Sequence, residues 1–321
     1  MERVILLADK NSKAWDFAKK IQNYFIESKK FFVPLQEISI EHFRNKEIKM
    51  HVPENVRQKE VYFIHDSTKE PQQWWIELLL LKDLLLSASA TSVSYVLPDM
   101  LYSRQDRKDK PHVAISARAL ARSISSNLKR VITMDLHAPQ IQGFYSEEMP
   151  LDNLYSFPVV VKYLKENKVI STELKELVIV SPDAGGVDRA RAFAQKLGSI
   201  HPIAFIEKRR VTAGEIKEMR LVGDVKDKDV FIIDDIIDSG GTQCKAHDLL
   251  KEKGAKNIYA YGTHGLFTEG TEKICSKFQR IMTSNTHYQT GNSVEVIDVS
   301  PIFAEAIWRA QNGLSISELF E

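Results

Sequence analysis

Short runs of β-branched and other apolar residues alternate with longer amphipathic stretches along this chain. Buried strands read as short apolar runs and helices as longer segments of 3.6-residue period, so the pattern predicts alternating strands and helices. The predicted strands are Val4–Leu7, Val61–His65, Val93–Leu97, Val131–Met134, Val178–Val180, Ile203–Ile206, Val230–Ile233, Ile258–Tyr261 and Val294–Val299. The predicted helices are Trp75–Ser87, Ala114–Ser125, Val187–Leu197 and Thr242–Lys253. This alternation is typical of α/β proteins with mainly parallel sheets.

The length of 321 residues predicts two domains, since one domain typically takes ~150 residues. A turn-rich segment from Pro150 to Pro158 separates two series of strands and helices. We therefore expect domains over residues 1–150 and 151–321, with a C-terminal tail that can pack back on the first. The helix Trp75–Ser87 is apolar nearly all round, which predicts burial either within this chain or against another subunit.

Composition and charge narrow the class of protein. Apolar residues make up 43% and charged residues 27%, which is ordinary for a globular protein. The net charge of +1 gives no general attraction to nucleic acid or to an anionic membrane, so neither is expected as a partner. Two cysteines are too few for a disulfide framework. The apolar runs Val4–Ala8 and Ile76–Leu86 are too short for a signal peptide and a membrane span respectively, so we expect a cytoplasmic protein.

Polar residues follow four of the predicted strands. These clusters are Pro98-Asp99, Asp135-Leu136-His137, Ser181-Pro182-Asp183 and Asp234-Asp235. Open parallel sheets bind their ligands beyond the carboxyl ends of the strands. The four clusters therefore predict a ligand site.

The strongest chemical signal is the stretch Val230 to Thr242, which reads VFIIDDIIDSGGT. Its Gly-Gly pair allows a tight turn that directs backbone amides at a phosphate, where a helix begins. Asp234 and Asp235 repel phosphate and instead fit sugar hydroxyls or magnesium. Together they predict a phosphorylated pentose, bound by the two acids and by a loop of Asp238, Ser239, Gly240, Gly241 and Thr242. The alternative is an ordinary strand–turn–helix with a capping Asp or Ser.

This stretch resembles the phosphoribosyl pyrophosphate motif of the type I phosphoribosyltransferase fold. Further segments, in order along the chain, resemble signatures of the ribose-phosphate pyrophosphokinase family, phosphate-dependent type. They are Phe43–Arg57, Arg104–Lys108, Asp135–His137, Ser181–Gly186 and Lys208–Arg210. The resemblance covers nearly the whole chain. It implies two tandem phosphoribosyltransferase-like domains, each a mainly parallel sheet flanked by helices.

The resemblance also implies a reaction, the transfer of the β,γ-diphosphoryl group of ATP to the anomeric hydroxyl of ribose 5-phosphate. AMP is released, and the product serves nucleotide biosynthesis. By this resemblance Lys208, Arg210 and His137 are catalytic. We expect Lys208 and Arg210 in a mobile loop after the Ile203–Ile206 strand, where closure brings positive charge to the phosphates.

Other positions are assigned by the same resemblance. ATP is expected to contact Phe43, Asn45, Glu47, Arg104, Gln105 and His137, and Mg²⁺ is expected at His137 and Asp183. Hard cations prefer oxygen, so we expect a carboxylate to hold the metal more firmly than His137 does. Asp135 is expected to support His137. Where family members commonly read Phe-Ser-Asp-Gly-Glu, this chain carries Lys46 at the glycine position, which puts its nucleotide preference in question.

The family's regulation and assembly give further expectations. Activation by inorganic phosphate and inhibition by ADP are expected, and the residues that fit the family's regulatory pattern are Gln142, Asn153, Ser315, Ser317 and Phe320. Pro139 weakens this hypothesis, because it replaces a small polar residue and lacks an amide donor. A homohexamer is expected, in which the Phe43 loop reaches the site of a neighbouring subunit.

Two alternative functions stay open at this point. One is a phosphoribosyltransferase, which needs only one such domain and no Arg104-Gln105 segment. The other is a non-catalytic regulatory subunit associated with true synthetases. Such a subunit keeps the fold and loses charged catalytic groups, whereas Lys208, Arg210 and His137 are all present here.

Overall fold

The computed structural model describes residues 3–169, 176–198, 202–212, 215–287 and 293–320, apart from the side chains of 209–212 and 215–218. The chain forms two compact units. Unit 1 comprises Met1–Tyr155, Thr286–Tyr288 and Val299–Glu321, and unit 2 comprises Ser156–Asn285 and Gln289–Asp298. None of the helices in the described ranges has the length and apolar character to cross a membrane.

Unit 1 is a sheet covered by helices. Its strands are β1 (Val4–Asp9), β2 (Leu35–His42), β3 (Ile48–His51), β4 (Glu60–Ile64), β5 (Ser92–Leu97), β6 (Arg130–Met134) and β7 (Leu151–Leu154). Its α-helices are α1 (Ala14–Lys29), α2 (Pro71–Ser87), α3 (Ser116–Ile124) and α8 (Ser300–Asn312). Over the described residues the strand order is β3-β2-β1-β4-β5-β6-β7, and only β3 runs antiparallel to its neighbour.

Unit 2 repeats this topology. Its strands are β8 (Leu177–Ser181), β9 (Ala204–Thr212), β10 (Glu215–Val222), β11 (Asp229–Ile237), β12 (Ile258–Gly265), β13 (Arg280–Ser284) and β14 (Glu295–Ile297). Its α-helices are α4 (Phe157–Glu166), α5 (Val187–Leu197), α6 (Gly241–Glu252) and α7 (Glu272–Cys275). In the part of unit 2 that is described, the order is β10-β9-β8-β11-β12-β13-β14, with β10 antiparallel to β9.

The described residues of unit 2 form two hydrophobic cores, one on each face of its sheet, and alternate side chains of β11 contribute to each. Val230 and Ile232 pack with Ala246 and Leu250 of α6, whereas Phe231 and Ile233 pack on the other face with residues of α5. Successive side chains of a strand point to opposite faces. The side chains of the next two residues of the strand, Asp234 and Asp235, therefore point toward opposite helices.

The helix α2 has a buried face and a partly exposed one. Trp74, Leu78, Leu81 and Leu85 are buried in the core of unit 1, whereas Ile76 and other apolar residues remain exposed. Burial within the chain, one of the two predictions for this helix, therefore accounts for one face of α2.

The helix α8 packs on α1 within unit 1. The rings of Phe17 and Phe303 meet edge to face with centroids 5.4 Å apart, and Lys29 Nζ lies 2.7 Å from a carboxylate oxygen of Glu305. The Gln311 amide donates to the hydroxyl of Tyr62 in β4, at 2.8 Å. Unit 1 is thus completed by a helix from the far end of the chain.

The prediction of two mainly parallel sheets flanked by helices is confirmed. All nine predicted strands and all four predicted helices overlap elements of the structure. The strands β2, β3, β7, β10 and β13 were not predicted. Most of these lie at sheet edges, where one side of a strand faces solvent and charged residues replace a continuous apolar run.

Candidate functional site

The turn after β8 is built around Asp183. Its Oδ1 accepts hydrogen bonds from the backbone N–H groups of Gly185 and Gly186, at 3.0 and 3.1 Å, and the hydroxyl of Ser181 donates to its backbone carbonyl at 2.7 Å. A Cβ at Gly186 would lie 2.6 Å from Ser181 Oγ, so the turn admits only glycine there without a shift. The other oxygen of Asp183 lies 3.4 Å from Lys208 Nζ.

Asp234 and Asp235 at the end of β11 have separate partners. Gln243 Nε2, from the first turn of α6, donates to Asp234 Oδ2 at 2.9 Å. Arg189 Nη1, from α5, donates to Asp235 Oδ1 at 2.9 Å. Burial above all, and then the charge of Asp235, raise the pKa of Asp234 well above its usual range, while Arg189 acts in the opposite direction. This is therefore an acid pair held by two side chains from opposite faces of the sheet.

The loop from Asp238 to Thr242 leads directly into α6. Gly240 has φ +77°, a left-handed conformation that favours glycine, and α6 begins at Gly241. The hydroxyl of Thr268 donates to Asp238 Oδ1 at 2.7 Å, and Ser239 Oγ accepts from the Gly241 amide at 3.4 Å. The first amides of a helix lack intrahelical partners and carry partial positive charge, so this loop can receive a phosphate.

The prediction that Lys208 and Arg210 lie in a loop after a strand is wrong for the described backbone. Both belong to β9, which continues to Thr212 and pairs with β10. In this register Glu207 stands opposite Arg220, and opposite charges across an antiparallel pair favour pairing. Lys208 is largely buried, with 9% of its side chain exposed. The side chain of Arg210 lies outside the described part of the structure.

In unit 1, the loops after β5 and β6 are neighbours. Gln140, from the 3₁₀ helix Pro139–Phe144, donates to Asp106 Oδ2 at 2.5 Å. This bond joins the loop that carries Arg104 and Gln105 to the segment that follows His137. Gln105 Nε2 donates to the carbonyl of Arg107 at 2.8 Å. The strand order thus places the Arg104-Gln105 segment and His137 at adjacent strand ends of one sheet.

His137 is exposed, whereas Asp135 is buried. The backbone N–H of Asp135 donates to the carbonyl of Leu154, and the backbone N–H of Leu136 donates to Asn153 Oδ1. Asp135 has φ +41°, in the left-handed region that Asp adopts more readily than most residues. This backbone turn directs the His137 side chain to solvent at the end of β6.

Phe43, Asn45 and Glu47 lie in the turn between β2 and β3. The N–H of Lys46 donates to the Phe43 carbonyl, and the N–H of Phe43 donates to the Glu47 carbonyl. Phe43 is 56% exposed. The strands β1 and β4 separate β2 from β5, so about 14 Å of sheet lies between the Phe43 turn and the Arg104 loop. Within the described part of unit 1, the two segments predicted to contact ATP therefore lie apart.

A cavity of about 420 Å³ in unit 1 is lined by four of the five residues predicted as a phosphate site: Gln142, Asn153, Ser317 and Phe320. Tyr155 and Phe320 meet there edge to face, with centroids 5.2 Å apart. Ser315 is not among the residues lining it, and its carbonyl accepts from Arg309 at 2.6 Å. Asp152 also lines the cavity and pairs with Arg130. The described lining residues include no cation.

Comparison with known proteins agrees with this architecture. A family model for the N-terminal domain of ribose phosphate pyrophosphokinase matches residues 6–127, and one for a phosphoribosyl synthetase-associated domain matches residues 199–321. Ribose-phosphate pyrophosphokinase of Campylobacter jejuni is 39% identical, over 95% of this chain and 96% of its own length. Ribose-phosphate pyrophosphokinase 4 of Saccharomyces cerevisiae is 40% identical, over 91% of this chain and 90% of its own. The chain belongs to the ribose-phosphate pyrophosphokinase family.

A solved structure supports this assignment. Phosphoribosylpyrophosphate synthetase from Mycobacterium smegmatis superposes with a TM-score of 0.84 at 29% identity, covering 97% of this chain and 99% of its own. The fold and the family predicted from the sequence are therefore confirmed.

The residues of this chain fit magnesium as a substrate-bound ion. The described residues contain no cluster of three or more His, Cys, Asp or Glu side chains that could hold a metal by themselves. Mg²⁺ is usually bound by one or two carboxylates together with substrate phosphates and water. Asp183, 46% exposed and close enough to Asp234 for its charge to act on that carboxyl group, is suited to that role.

Sequence reasoning missed two residues of this site, Arg189 and Gln243. Both lie in the first turn or so of a helix, where a polar residue usually faces solvent. The signal that could have found them is the acid pair itself, because two adjacent carboxylates at a strand end require a partner on each face of the sheet.

Proposed function

We propose that this chain catalyses transfer of the β,γ-diphosphoryl group of ATP to the anomeric hydroxyl of ribose 5-phosphate. The proposal rests above all on one observation in unit 2. Three features lie together at one edge of its sheet. The acid pair and the loop Asp238–Thr242 belong to the carboxyl end of β11, Asp183 follows β8, and Lys208 belongs to the adjoining strand β9.

The chemistry is a displacement at the β-phosphorus of ATP. The anomeric oxygen forms a bond to that phosphorus, the bond to the oxygen bridging the α- and β-phosphorus breaks, and AMP leaves with that oxygen. The hydroxyl proton is lost to solvent. Such reactions depend on positioning and on neutralising phosphate charge. The loop Asp238–Thr242 would hold the 5-phosphate, Asp234 and Asp235 the pentose hydroxyls, and Lys208 the transferring group.

Asp183 is the residue that would hold magnesium in unit 2, with His137 acting in unit 1 on the ATP phosphates. The ion would supply charge neutralisation on the diphosphoryl group. Lys208 Nζ lies 3.4 Å from Asp183 Oδ2 in this structure, so its ammonium group stands beside the carboxylate that would hold the ion. Arg104 offers a planar fork for phosphate oxygens, and Gln105 an amide for the adenine.

The test is AMP release from magnesium-ATP, measured with and without ribose 5-phosphate. We expect AMP only when the sugar is present. We expect Lys208→Ala to lower kcat by about 10²–10³-fold, because it removes charge stabilisation of the transferring group. Lys226→Ala, at an exposed lysine elsewhere in unit 2, is the matched control. No AMP from a folded protein that binds ribose 5-phosphate would instead indicate a non-catalytic subunit.

For assembly, we infer that the Phe43 turn acts on the site of a neighbouring subunit in a homohexamer. Support comes from its exposed aromatic ring and its separation from the Arg104 loop across the sheet of unit 1. An active monomer, identified by light scattering at assay concentration, would overturn the inference. We expect the assembly to be cytoplasmic.

For regulation, we infer activation by inorganic phosphate at the cavity beside Phe320. Support comes from Gln142, Asn153 and Ser317, whose polar groups line it together. Because the described lining residues carry no cation, the phosphate needs a basic group from elsewhere. A phosphate titration without activation would overturn this inference.

A further inference from the structure

Negative charge accumulates near the carboxyl end of β11. Asp234 and Asp235 are adjacent, the charge of Asp183 also acts on Asp234, and the proposed substrate is an anion. Their carboxylates nevertheless have fixed partners. Asp235 is nearly buried, with 7% of its side chain exposed, and Arg189 beside it is 23% exposed. An arginine–aspartate pair held in this way, partly out of water, interacts more strongly than an exposed pair does.

Arg189 is also tied to the Asp183 turn. It lies in the first turn of α5, which begins immediately after Gly186. A Cβ at Gly186 would come within 3.8 Å of Arg189 Nη1. At that distance the two would be in ordinary van der Waals contact, so the guanidinium lies beside the Asp183 turn while it reaches across to β11. Arg189 thus links the end of β11 to the turn that carries Asp183.

Arg191 provides a contrast on the same helix. It pairs with Asp188 at the surface, and the side chains of the two residues are 55% and 93% exposed. Such exposed pairs contribute little to stability or to orientation. The helix α5 therefore carries two arginines of different kinds, one directed at the site and one at solvent.

We propose that Arg189 is a positioning residue that orients Asp235, and that Gln243 does the same for Asp234. The two oriented carboxylates then accept hydrogen bonds from the vicinal diol of the pentose. The proposal rests on the proposed function, since it concerns the same pentose site. Each carboxylate has about four acceptor positions, so one that accepts from Arg189 or Gln243 can still accept from a sugar hydroxyl. Arg189 sets the direction of Asp235 and offsets its charge.

A consequence is discrimination against a sugar that lacks one hydroxyl. A site built to hydrogen-bond a hydroxyl rejects the analogue without it, because its own buried polar group then has no partner. Ribose 5-phosphate should therefore be preferred strongly over 2-deoxyribose 5-phosphate. The preference should depend on Arg189, although Arg189 is not itself expected to touch the sugar.

The experiment compares Arg189→Met, Arg189→Lys and the matched control Arg191→Met. For Arg189→Met we expect the KM for ribose 5-phosphate to rise about tenfold or more, while the KM for ATP changes less than about twofold. The preference for ribose over 2-deoxyribose should fall by a similar factor. Arg189→Lys should recover part of the loss, and Arg191→Met should match the wild type. Equal changes in both KM values, or an unchanged sugar preference, would overturn the proposal.

A double-mutant cycle separates positioning from general structure. If Arg189 acts through Asp235, then Arg189→Met should have little further effect in an Asp235→Asn background. Full additivity of the two effects would contradict the proposal. Should Arg189→Met not fold, Gln243→Leu gives the corresponding test at Asp234, with the same expected rise in the KM for the sugar.

Calorimetric measurement of ribose 5-phosphate binding distinguishes failure of the proposed function from failure of the positioning role of Arg189. Wild-type protein that binds the sugar phosphate but releases no AMP would refute the proposed function, and weaker binding by Arg189→Met would still support the positioning role. Normal AMP release with unchanged sugar binding by Arg189→Met would refute the positioning role alone.

Discussion

Lys46 occupies a backbone conformation that glycine adopts more readily. Its φ is +70°, in the turn that carries Phe43, Asn45 and Glu47. The turn keeps its two backbone hydrogen bonds around Phe43 in spite of this residue. A left-handed conformation costs a non-glycine residue roughly 1–2 kcal/mol, less the entropy that glycine loses on folding. We therefore expect Lys46 to lower the stability of this turn.

This gives a prediction for Lys46→Gly. We expect the substitution to stabilise the turn by about 0.5–1 kcal/mol. Amide hydrogen exchange at Phe43 should accordingly slow by about two- to fivefold. Lys46→Ala, which keeps the Cβ and therefore the strain, is the control. Equal protection in the glycine and alanine variants would contradict the argument.

At Gly186 the constraint is steric. A methyl group there would meet Ser181 Oγ at 2.6 Å and would displace the turn that holds Asp183. We expect Gly186→Ala to reduce kcat/KM by at least about tenfold, because small misplacements of site residues are costly. Gly143→Ala, at a glycine with no neighbouring atom within 4 Å of a built Cβ, should leave activity unchanged.

A second variant checks the cause of that loss. Adding Ser181→Ala to Gly186→Ala removes the hydroxyl that the methyl group would meet. Part of the activity should return in the double variant. If the single Gly186→Ala variant were already fully active, the turn would be more tolerant than its geometry indicates.

Among the elements, β4 and α2 enclose a buried ionisable cluster. Lys69 Nζ lies 3.0 Å from Asp9 and 2.9 Å from Glu77. His65 stacks on Trp74 and is fully buried. Burial first, and then the charge of Lys69, lower the pKa of His65 to about 3. His65 is therefore neutral in the folded protein at physiological pH.

This pKa predicts a pH dependence of stability. The folded-state value lies below the ordinary 6.5, so the unfolded chain binds the extra proton as the pH falls. Stability due to neutral His65 is thus present above pH 6.5 and is lost as the pH falls toward 3, by at most about 5 kcal/mol. In His65→Gln, the free energy of unfolding should depend less steeply on pH between these values. His51→Gln, at an exposed position, should keep the wild-type slope.

The accuracy of the sequence predictions differs between elements for physical reasons. Central strands such as β5 and β11 are buried on both faces, and their apolar runs identify them directly. The hairpin of β9 and β10 is different, because Lys208 and its basic neighbours look like a solvated turn. Pairing across the hairpin decides its structure, and a single strand's composition does not reveal its partner.

The site shows the same division. The backbone of the loop from Asp238 to Thr242 was predictable because a local pattern of acids and glycines specifies the turn into α6. The partners Arg189 and Gln243 were not, because their contacts join positions 46 and 9 residues apart in sequence and depend on which face each helix covers. Such contacts are set by tertiary packing.

For the whole molecule, the two units share one strand order, although the sequence shows no periodic repeat. A short similarity becomes visible only with the structure. The segment Val61–Asp66 reads VYFIHD and includes most of β4, the neighbour of β1. The segment Val230–Asp235 reads VFIIDD and lies in β11, the corresponding neighbour of β8. His65 stands where unit 2 has Asp234. A neutral, buried imidazole there does not provide the acid pair of unit 2.

The packing of α8 on α1 gives a prediction at this scale. Phe303 is fully buried against Phe17, so Phe303→Ala should destabilise unit 1 by about 3–5 kcal/mol. Hydrogen exchange should quicken in β1 more than in β8. Phe193→Ala, which removes a buried ring stacked on Phe231 in unit 2, is the matched control and should show the opposite pattern. Equal effects on both strands in either variant would contradict the assignment of α8 to unit 1.

The position of α8 also bears on the order of events during synthesis. Domains usually fold as they leave the ribosome, the N-terminal one first. Here the nascent chain must release all of unit 2 before the helix that covers Phe17 and Phe25 becomes available. The apolar face of α1 therefore stays uncovered until α8 has been translated. Until then this uncovered apolar face exposes the newly synthesised chain to aggregation.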